Sequence, residues 1–374
     1  MTIGAYGIFT LDQGRDAARE TLRTMRMGDD PRYLRRQEAV LRITLREVAD
    51  IYIARPGMLK ETTKSEMKRH VELMWGEFLH KPIAAITSAD VRRRYDDVAT
   101  KGIRGGGPAP VQASIATVTL RTLINFARTE YTTPEGRPFI EYNPVSILKR
   151  ELRPSPPRTR HIERRRVGEF WDFLCRLRQI PWSDDAQTGT ELVMFLLLTG
   201  ARRNEGAKLT WDRVNLDASD PTNCWWHLPD PKNRHPVWLP LSSQAAAILS
   251  SRKGKGRGTY VFNSRSKLGH ITDTRAPLER FSKAIGMSRL SPHDLRRTFV
   301  TLGAKACRLD IAKLELLTNH VPQGITARHY LETSDLRDYL PEVQAIADWI
   351  ESEGRLASTR GDSAFAIAYP AASA

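Results

Sequence analysis

The sequence has few cysteines, no long apolar run and no cluster of metal-ligating side chains. Cys175, Cys224 and Cys307 are odd in number, far apart and outside any CxxC spacing, which argues against disulfides and structural zinc. No apolar run reaches the roughly 18 residues of a membrane span, and the start "MTIGAYGIFTLDQGRD" lacks a signal peptide's regions. The sequence has no cluster of Asp, Glu and His at metal-ligand spacing, which argues against a metallonuclease. We expect the three cysteines to be reduced and the chain to be cytoplasmic.

Positive charge, in contrast, is abundant. The 374 residues include 58 Lys and Arg against 43 Asp and Glu, a net charge of +15 that is spread along the whole chain. Such an excess indicates a polyanionic partner, most simply nucleic acid. A basic protein whose charge only keeps it soluble is the alternative.

The N-terminal part of the sequence predicts helices. Residues 10–27 form one, with Thr10 and Gln13 as a capping box and "GDDP" as its stop. Four amphipathic helices then predict a small helical domain at 41–149. The first begins at Thr44, the second covers about 64–79, the third begins at Thr87 and the fourth covers about 110–131.

A basic segment separates this helical part from a second domain. Residues 150–164 have no apolar periodicity, three prolines and many arginines, which is typical of an interdomain linker facing phosphate. The candidate DNA-binding residues of this segment are Arg158, Arg160 and Arg164, and Arg165, directly after it, is a fourth candidate. Beyond it we expect a helix at about 166–178, a buried run at 192–198 and a β-hairpin of "WWHLP" and "VWLPL" around the turn "DPKNRH".

The stretch "LSPHDLRRTF" at 290–299 predicts a helix start. Ser291 is a good N-cap, Pro292 suits the first helical position, and Asp294 completes a capping-box pattern. His293 and Arg296 then share one face near free N–H groups that attract anions. By itself this pattern is also that of a solvated basic turn.

Five separated elements occur in order over the second domain: "TGARRNEG", "DPKNRHPVWLPL", "HDLRRTF", "LLTNH" and "TARHYLE". This succession resembles the catalytic domain of tyrosine recombinases, the phage integrase family. The resemblance implies six catalytic residues, with Glu205 in support of the first and Tyr330 as nucleophile: Arg202, Lys232, His293, Arg296, His320 and Tyr330. Each of these residues, taken singly, is also typical of an ordinary structural position. Lys208, Lys253 and Lys255 are alternatives to Lys232 as the catalytic lysine. His329 is expected to be structural.

The resemblance also implies an organisation and a fold. The fold is mainly α with a small antiparallel β-sheet: a helical core-binding domain plus an α+β catalytic domain. Its segments are a remnant of an arm-binding domain at 1–40, the core DNA-binding domain at 41–149, the linker at 150–164, the catalytic domain at 165–340, and a docking helix and mobile tail at 341–374. The docking face would be Val343, Ile346, Ala347 and Ile350. Asn319 departs from the family, which has glycine before this histidine.

The implied activity is site-specific recombination through a 3′-phosphotyrosyl intermediate and a Holliday junction, integrating or excising a phage or mobile element without metal, ATP or another cofactor. The implied partners are double-stranded attachment sites, three further copies in a homotetramer, and DNA-bending or excision factors, in the cytoplasm at the nucleoid. A type IB topoisomerase and a non-catalytic DNA-binding protein on the same scaffold are the alternatives. The core-binding unit and the predicted docking helix favour recombination over relaxation, and the complete active-site set favours an enzyme over a DNA-binding protein.

Overall fold

A computed structural model describes residues 10–133, 136–153, 156, 159–180, 183–231, 235–255, 258–320 and 333–360. The chain divides into two compact units, Met1–Pro157 and Arg158–Ala374. The described residues are mainly helical and contain one small antiparallel sheet, which confirms the predicted fold class. None of the described helices has both the length and the apolar character needed to cross a membrane.

The first unit is helical in its described part. Its α-helices are α1 (Leu11–Arg26), α2 (Pro31–Arg42), α3 (Leu45–Ala54), α4 (Glu61–Leu73), α5 (Ser88–Lys101) and α6 (Pro110–Glu130). The capping boxes of α1, α3 and α5 form as the sequence indicates, with Thr10, Thr44 and Thr87 as N-caps. The predicted helix at 64–79 is instead α4 followed by a short 3₁₀ turn at Gly76–Phe78.

Helix α2 differs from the predicted organisation. All but the last two residues of α2 fall in the predicted N-terminal segment 1–40, yet Pro31 and Val40 are buried, and the Tyr33 and Phe139 rings are tilted against each other with centroids 5.8 Å apart. Asp30 caps this helix by accepting the N–H of Arg32 at 2.8 Å. The "GDDP" stretch therefore ends α1 and also begins α2, which packs within the first unit.

The first unit's core lies between α3, α4, α5 and α6, and two buried polar side chains link these helices. His70 Nδ1 lies 2.8 Å from the hydroxyl of Thr119, and Trp75 Nε1 donates to the carbonyl of Ala116 at 3.0 Å. Both bonds join α4 or the turn after it to α6. Because hydrogen bonding removes most of the penalty of burying polar groups, these bonds fix how the two helices pack.

The second unit combines helices with the sheet. Its helices are α7 (Arg164–Gln179), α8 (Asp184–Thr199), α9 (Arg203–Ala207), α10 (Ser243–Arg252), α11 (Arg275–Ala284), α12 (Pro292–Lys305), α13 (Ile311–Leu317) and α14 (Leu340–Arg360). The strands are β1 (Val214–Asn215), β2 (Trp225–Leu228) and β3 (Val237–Pro240), in spatial order β1-β2-β3. Antiparallel pairing of β2 with β3 matches the predicted hairpin, with Leu228 opposite Val237 next to the turn.

Helix α8 is the centre of the second unit. All of its residues from Thr188 to Thr199 are buried, so the apolar run at 192–198 is a helix surrounded by neighbours. The helix ends at Gly200, whose φ is +63°. A Cβ there would lie 2.7 Å from the Phe299 ring of α12, so glycine permits both the left-handed turn and the close approach.

Helix α14 packs within its own unit. Val343, Ile346, Ala347 and Ile350 belong to the buried core, and the backbone of α14 lies so close to α7 that a Cβ on Gly168 would meet the carbonyl of Glu353 at 2.2 Å. The apolar face that the sequence analysis assigns to a neighbouring protomer is therefore used inside this chain. Docking through other parts of 341–374 stays a prediction, and residues 361–374 lie outside the described residues.

Candidate active site

Arg202 is held at the start of α9. Its backbone N–H donates to Oε2 of Glu205 at 2.8 Å, and its guanidinium NH1 donates to Oε1 of the same carboxylate at 2.8 Å. Glu205 thus caps the helix and orients the arginine at once, the supporting role predicted for it. Both side chains are largely buried, so the guanidinium is held more firmly than in an exposed ion pair.

Arg296 lies one turn into α12 and is only 3% exposed. Its NH1 donates to the carbonyl of Gly200 at 2.9 Å, while NH2 contacts the carbonyl of Thr318 and lies 3.2 Å from Nε2 of His320. The two carbonyls stand at the C-terminal ends of α8 and α13, where helix dipoles favour a cation. One guanidinium therefore joins α12 to the ends of α8 and α13, and Arg202 and His320 each lie two residues beyond the carbonyl that it contacts.

His320 follows the C-terminus of α13 in a Schellman motif. The N–H of Asn319 donates to Leu316 at 2.7 Å and that of His320 to Glu315 at 2.9 Å, with Asn319 at φ +51°. The left-handed conformation explains why the family has glycine at this place, and asparagine is the side chain that most readily replaces it there. The departure at Asn319 thus preserves the backbone that presents His320.

Burial, followed by the neighbouring charges, shifts the pKa values of these residues downwards. Burial, with a smaller effect of Arg202, lowers the pKa of Arg296 to about 9, so this arginine stays charged at neutral pH. Loss of solvation followed by the charges of Arg296 and Arg202 lowers the pKa of His320 to about 4. Burial and then Arg297 and Arg296 lower the pKa of His293. Both imidazoles are therefore neutral at pH 7 beside two cationic arginines.

The tautomer of His320 follows from its neighbours. A guanidinium only donates hydrogen bonds, so the Nε2 atom facing Arg296 accepts and the proton sits on Nδ1. Nδ1 lies 3.5 Å from the hydroxyl of Thr318, which itself donates to the carbonyl of Leu314 at 2.7 Å. In this state His320 directs a lone pair towards Arg296.

Two of the predicted catalytic residues, Lys232 and Tyr330, lie outside the described residues. Among the described ones, Arg202, His293, Arg296 and His320 come together with Glu205, although they are far apart in sequence. The catalytic roles of all six stay predictions.

The predicted DNA-binding arginines have different surroundings. Arg158 lies outside the described residues. Arg160 donates through its Nε to the buried carboxylate of Asp294 at 3.0 Å, and its contact with DNA stays a prediction. The guanidinium of Arg164 lies 5.5 Å from the Trp349 ring, and exposed Arg165 pairs with Glu163 at 2.7 Å. DNA contacts by Arg164 and Arg165 stay predictions.

Sequence reasoning missed the backbone part of the site. The carbonyls of Gly200 and Thr318 hold Arg296, and a carbonyl leaves no side-chain pattern to read. The available signal was indirect: a Thr-Gly break before Arg202 and a threonine two residues before His320. The Arg160 contact was missed for a related reason, since its partner is 134 residues away in sequence.

Comparisons with known proteins find a family model, a relative and solved structures similar to this chain. The sequence model described as "Phage integrase family" matches residues 175–337. The prophage integrase IntF of Escherichia coli (strain K12) is 29% identical over 143 residues, which are 37% of this chain and 29% of that protein. The chain thus aligns with less than a third of this relative's length.

Solved structures share the fold. A lambda integrase tetramer bound to a Holliday junction superposes with a TM-score of 0.54 at 15% identity, covering 86% of this chain and 90% of that one. The Tn1549 transposon integrase in complex with a circular intermediate DNA superposes with a TM-score of 0.55 at 15% identity, covering 78% of this chain and 95% of that one. Residues 175–337 of the second unit thus resemble the phage integrase family, the tyrosine recombinases, and the solved structures share the fold of this chain.

Proposed function

We propose that this protein is a site-specific DNA recombinase of the integrase type, which integrates or excises a phage or mobile element. The observation that carries the proposal is the convergence of Arg202, His293, Arg296 and His320 in one unit, with charges that act on one another. Two cationic guanidiniums beside two neutral imidazoles suit the cleavage of a phosphodiester, because nucleophilic attack on its phosphorus concentrates negative charge on the non-bridging oxygens.

The proposed reaction uses a nucleophile from the same domain. The Tyr330 oxygen bonds to phosphorus while the bond to the 5′ oxygen breaks, leaving a 3′-phosphotyrosyl link and a 5′-hydroxyl. Arg202 and Arg296 stabilise the phosphorane, and each such preorganised donor contributes about 3 to 4 kcal/mol. The phenol proton passes to His293, and Lys232 protonates the departing oxygen. A 5′-hydroxyl from the partner strand reverses these steps, so the bond energy is conserved.

The neutral state of His293 supports its role as proton acceptor, since an imidazolium could not take the phenol proton. His320 is the further phosphate donor in this scheme. Because its Nε2 accepts from Arg296 in the DNA-free chain, donation from that atom requires a phosphate oxygen to replace the imidazole as the arginine's partner. His320 would then carry a proton on Nε2.

The proposed partners follow from the chemistry of strand exchange. Duplex attachment sites bind the basic chain, and four copies assemble on two duplexes to exchange strands through a Holliday junction. The lambda integrase structure has that composition by its description, a tetramer on a Holliday junction. DNA-bending or excision factors and a nucleoid location complete the proposal.

Covalent trapping tests the function. Nicked duplexes tiled across the DNA that flanks the coding gene should include one that traps the chain, because the nicked fragment diffuses away and prevents religation. Tyr330→Phe should abolish the trapped band in denaturing gels while duplex binding stays within about twofold. Trapping by the Phe variant would disprove the nucleophile. Relaxation of a plasmid without any cognate site would indicate a topoisomerase instead.

A further inference from the structure

The carboxylate of Asp294 is unusually enclosed for a helix-capping group. Ser291 donates to its Oδ2 through both its backbone N–H and its hydroxyl, each at 2.8 Å, which completes the capping box of α12. Capping carboxylates ordinarily face water, whereas Asp294 is 0% exposed. Something besides the cap must therefore compensate its charge.

Two arginines supply that compensation from opposite directions in sequence. Arg297, one turn along α12, donates to Oδ1 at 3.2 Å, and Arg160 donates its Nε to Oδ2 at 3.0 Å. Arg160 also reaches the hydroxyl of Ser288 at 3.4 Å. The segment before α7 is thus fixed to the first turn of α12 by a charge-assisted bond.

A second contact fixes the same segment. The N–H of Ile162 donates to the hydroxyl of Thr298 at 2.9 Å, and that hydroxyl donates to the carbonyl of Asp294 at 2.8 Å. Ile162 and Thr298 are fully buried. Residues 160–162 therefore lie along the first two turns of α12, the turns that carry His293 and Arg296.

From these contacts we infer that Arg160 is a positioning residue of the active site: through Asp294 it sets the orientation of the α12 start and so of His293 and Arg296. The inference rests on the proposed function. It assigns to the end of the basic segment a role in the cleavage step rather than in phosphate binding. Small displacements of reacting groups slow a reaction far more than they weaken substrate binding.

The first test separates cleavage from binding. For Arg160→Ala we expect the single-turnover rate of covalent trapping at saturating DNA to fall on the order of 10- to 100-fold, with duplex affinity within about threefold. Arg160→Lys, which keeps the charge, should restore much of the rate. The matched control is Arg176→Ala on α7, because Arg176 likewise donates to a nearly buried carboxylate, that of Asp172 one turn earlier on the same helix, at 2.8 Å. It should keep the full rate.

Three results would overturn the inference. One is an unchanged cleavage rate in Arg160→Ala. Another is an affinity loss with a salt slope reduced by about one, the signature of a lost phosphate contact. The third is an equal rate loss in the Arg176→Ala control. If the unaltered chain traps no duplex at all, the proposed function fails instead, and this separates the two hypotheses.

A double variant keeps the inference testable should Arg160→Ala fold poorly. Arg160→Met leaves the buried carboxylate with one cationic partner fewer, whereas Arg160→Met with Asp294→Asn removes the charge that needs it. We expect the double variant to melt at a higher temperature than Arg160→Met alone, because the two effects are coupled. Additive losses in melting temperature would show that the residues act independently and would contradict the positioning role.

Discussion

The two units bury different kinds of polar group. Among the described residues of the first unit, the buried polar side chains are His70, Ser114, Thr117, Thr119 and Asn143. The second unit buries charged residues as well: Asp172, Glu191, Arg252, Asp294 and Arg296. Burial of a charge is unfavourable unless partners surround it, so the second unit gives up stability to hold charges in fixed positions. Fixed charges are what stabilisation of a phosphorane requires.

The buried carboxylate of Glu191, paired with two arginines, forms the sharpest contrast with the first unit. Glu191 accepts from Arg178 at 2.8 Å and pairs with Arg252, which also donates to the carbonyl of Val261 at 2.7 Å. Glu191→Gln leaves two arginines without their counter-charge, so the free energy of unfolding should fall by about 3 to 5 kcal/mol. Urea unfolding measures this.

The control for that variant is an ion pair of the first unit. Glu151 pairs with Arg92 at 2.6 Å, but both side chains are more than a third exposed. Solvent screens such pairs, and Glu151→Gln should lower the unfolding free energy by less than about 1 kcal/mol. Equal losses in the two variants would remove the distinction between the units.

A second prediction concerns the buried arginine of the site. Lysine at 296 keeps the charge but cannot contact the carbonyls of Gly200 and Thr318 together, because an ammonium lacks the planar fork. Arg296→Lys should lower the trapping rate about 10²- to 10³-fold. Arg92→Lys in the first unit, where the arginine serves an exposed pair, should leave the rate unchanged. Near-normal trapping by the Arg296→Lys variant would show that charge alone suffices.

Local patterns predicted much of both units. The capping boxes at Thr10, Thr44, Thr87 and Ser291 form because each depends on side chains three residues apart. The hairpin of β2 and β3 was readable from two apolar runs around a polar turn. Two helices that the sequence did not predict show the limit of such local patterns. Helix α2 begins in "GDDP", which also ends α1, and α11 begins without a side-chain cap.

Long-range contacts were not predictable in the same way. The apolar face of α14 is the same in sequence whether it packs on this chain or on another, and only the close approach of α7 decides between the two. The order of motifs identified Arg202, His293, Arg296 and His320 as one group. It did not indicate that Arg160 contacts Asp294, since an arginine in a basic segment looks the same whether it faces DNA or a buried carboxylate.

A third prediction concerns the backbone before His320. Asn319 adopts φ +51°, a conformation that disfavours most side chains by about 1 to 2 kcal/mol. Asn319→Ala should lower the unfolding free energy by about 1 kcal/mol, and Asn319→Gly should leave it unchanged or raise it slightly. Trapping by the glycine variant should match that of the original chain. A stable alanine variant would show that the Schellman motif does not constrain this turn.

The smallest expected effect is a pH dependence that sharpens the comparison of the two units. The pKa of His320 falls to about 4 in the folded chain from an ordinary 6.5, so between these values the unfolded chain binds more protons. The free energy of unfolding should therefore rise as pH increases through this window and level off above it. Burial lowers the pKa of His70 in the first unit too, so its contribution has the same sign. Urea unfolding of His320→Gln and His70→Gln across the window separates the two. The slope should flatten more in His320→Gln, because the charges of Arg296 and Arg202 add to burial at that ring and outweigh Glu205, whereas at His70 the charge of Glu66 outweighs that of Arg69 and opposes burial. A slope that His320→Gln leaves intact would show that the imidazole is not held against the arginines in solution.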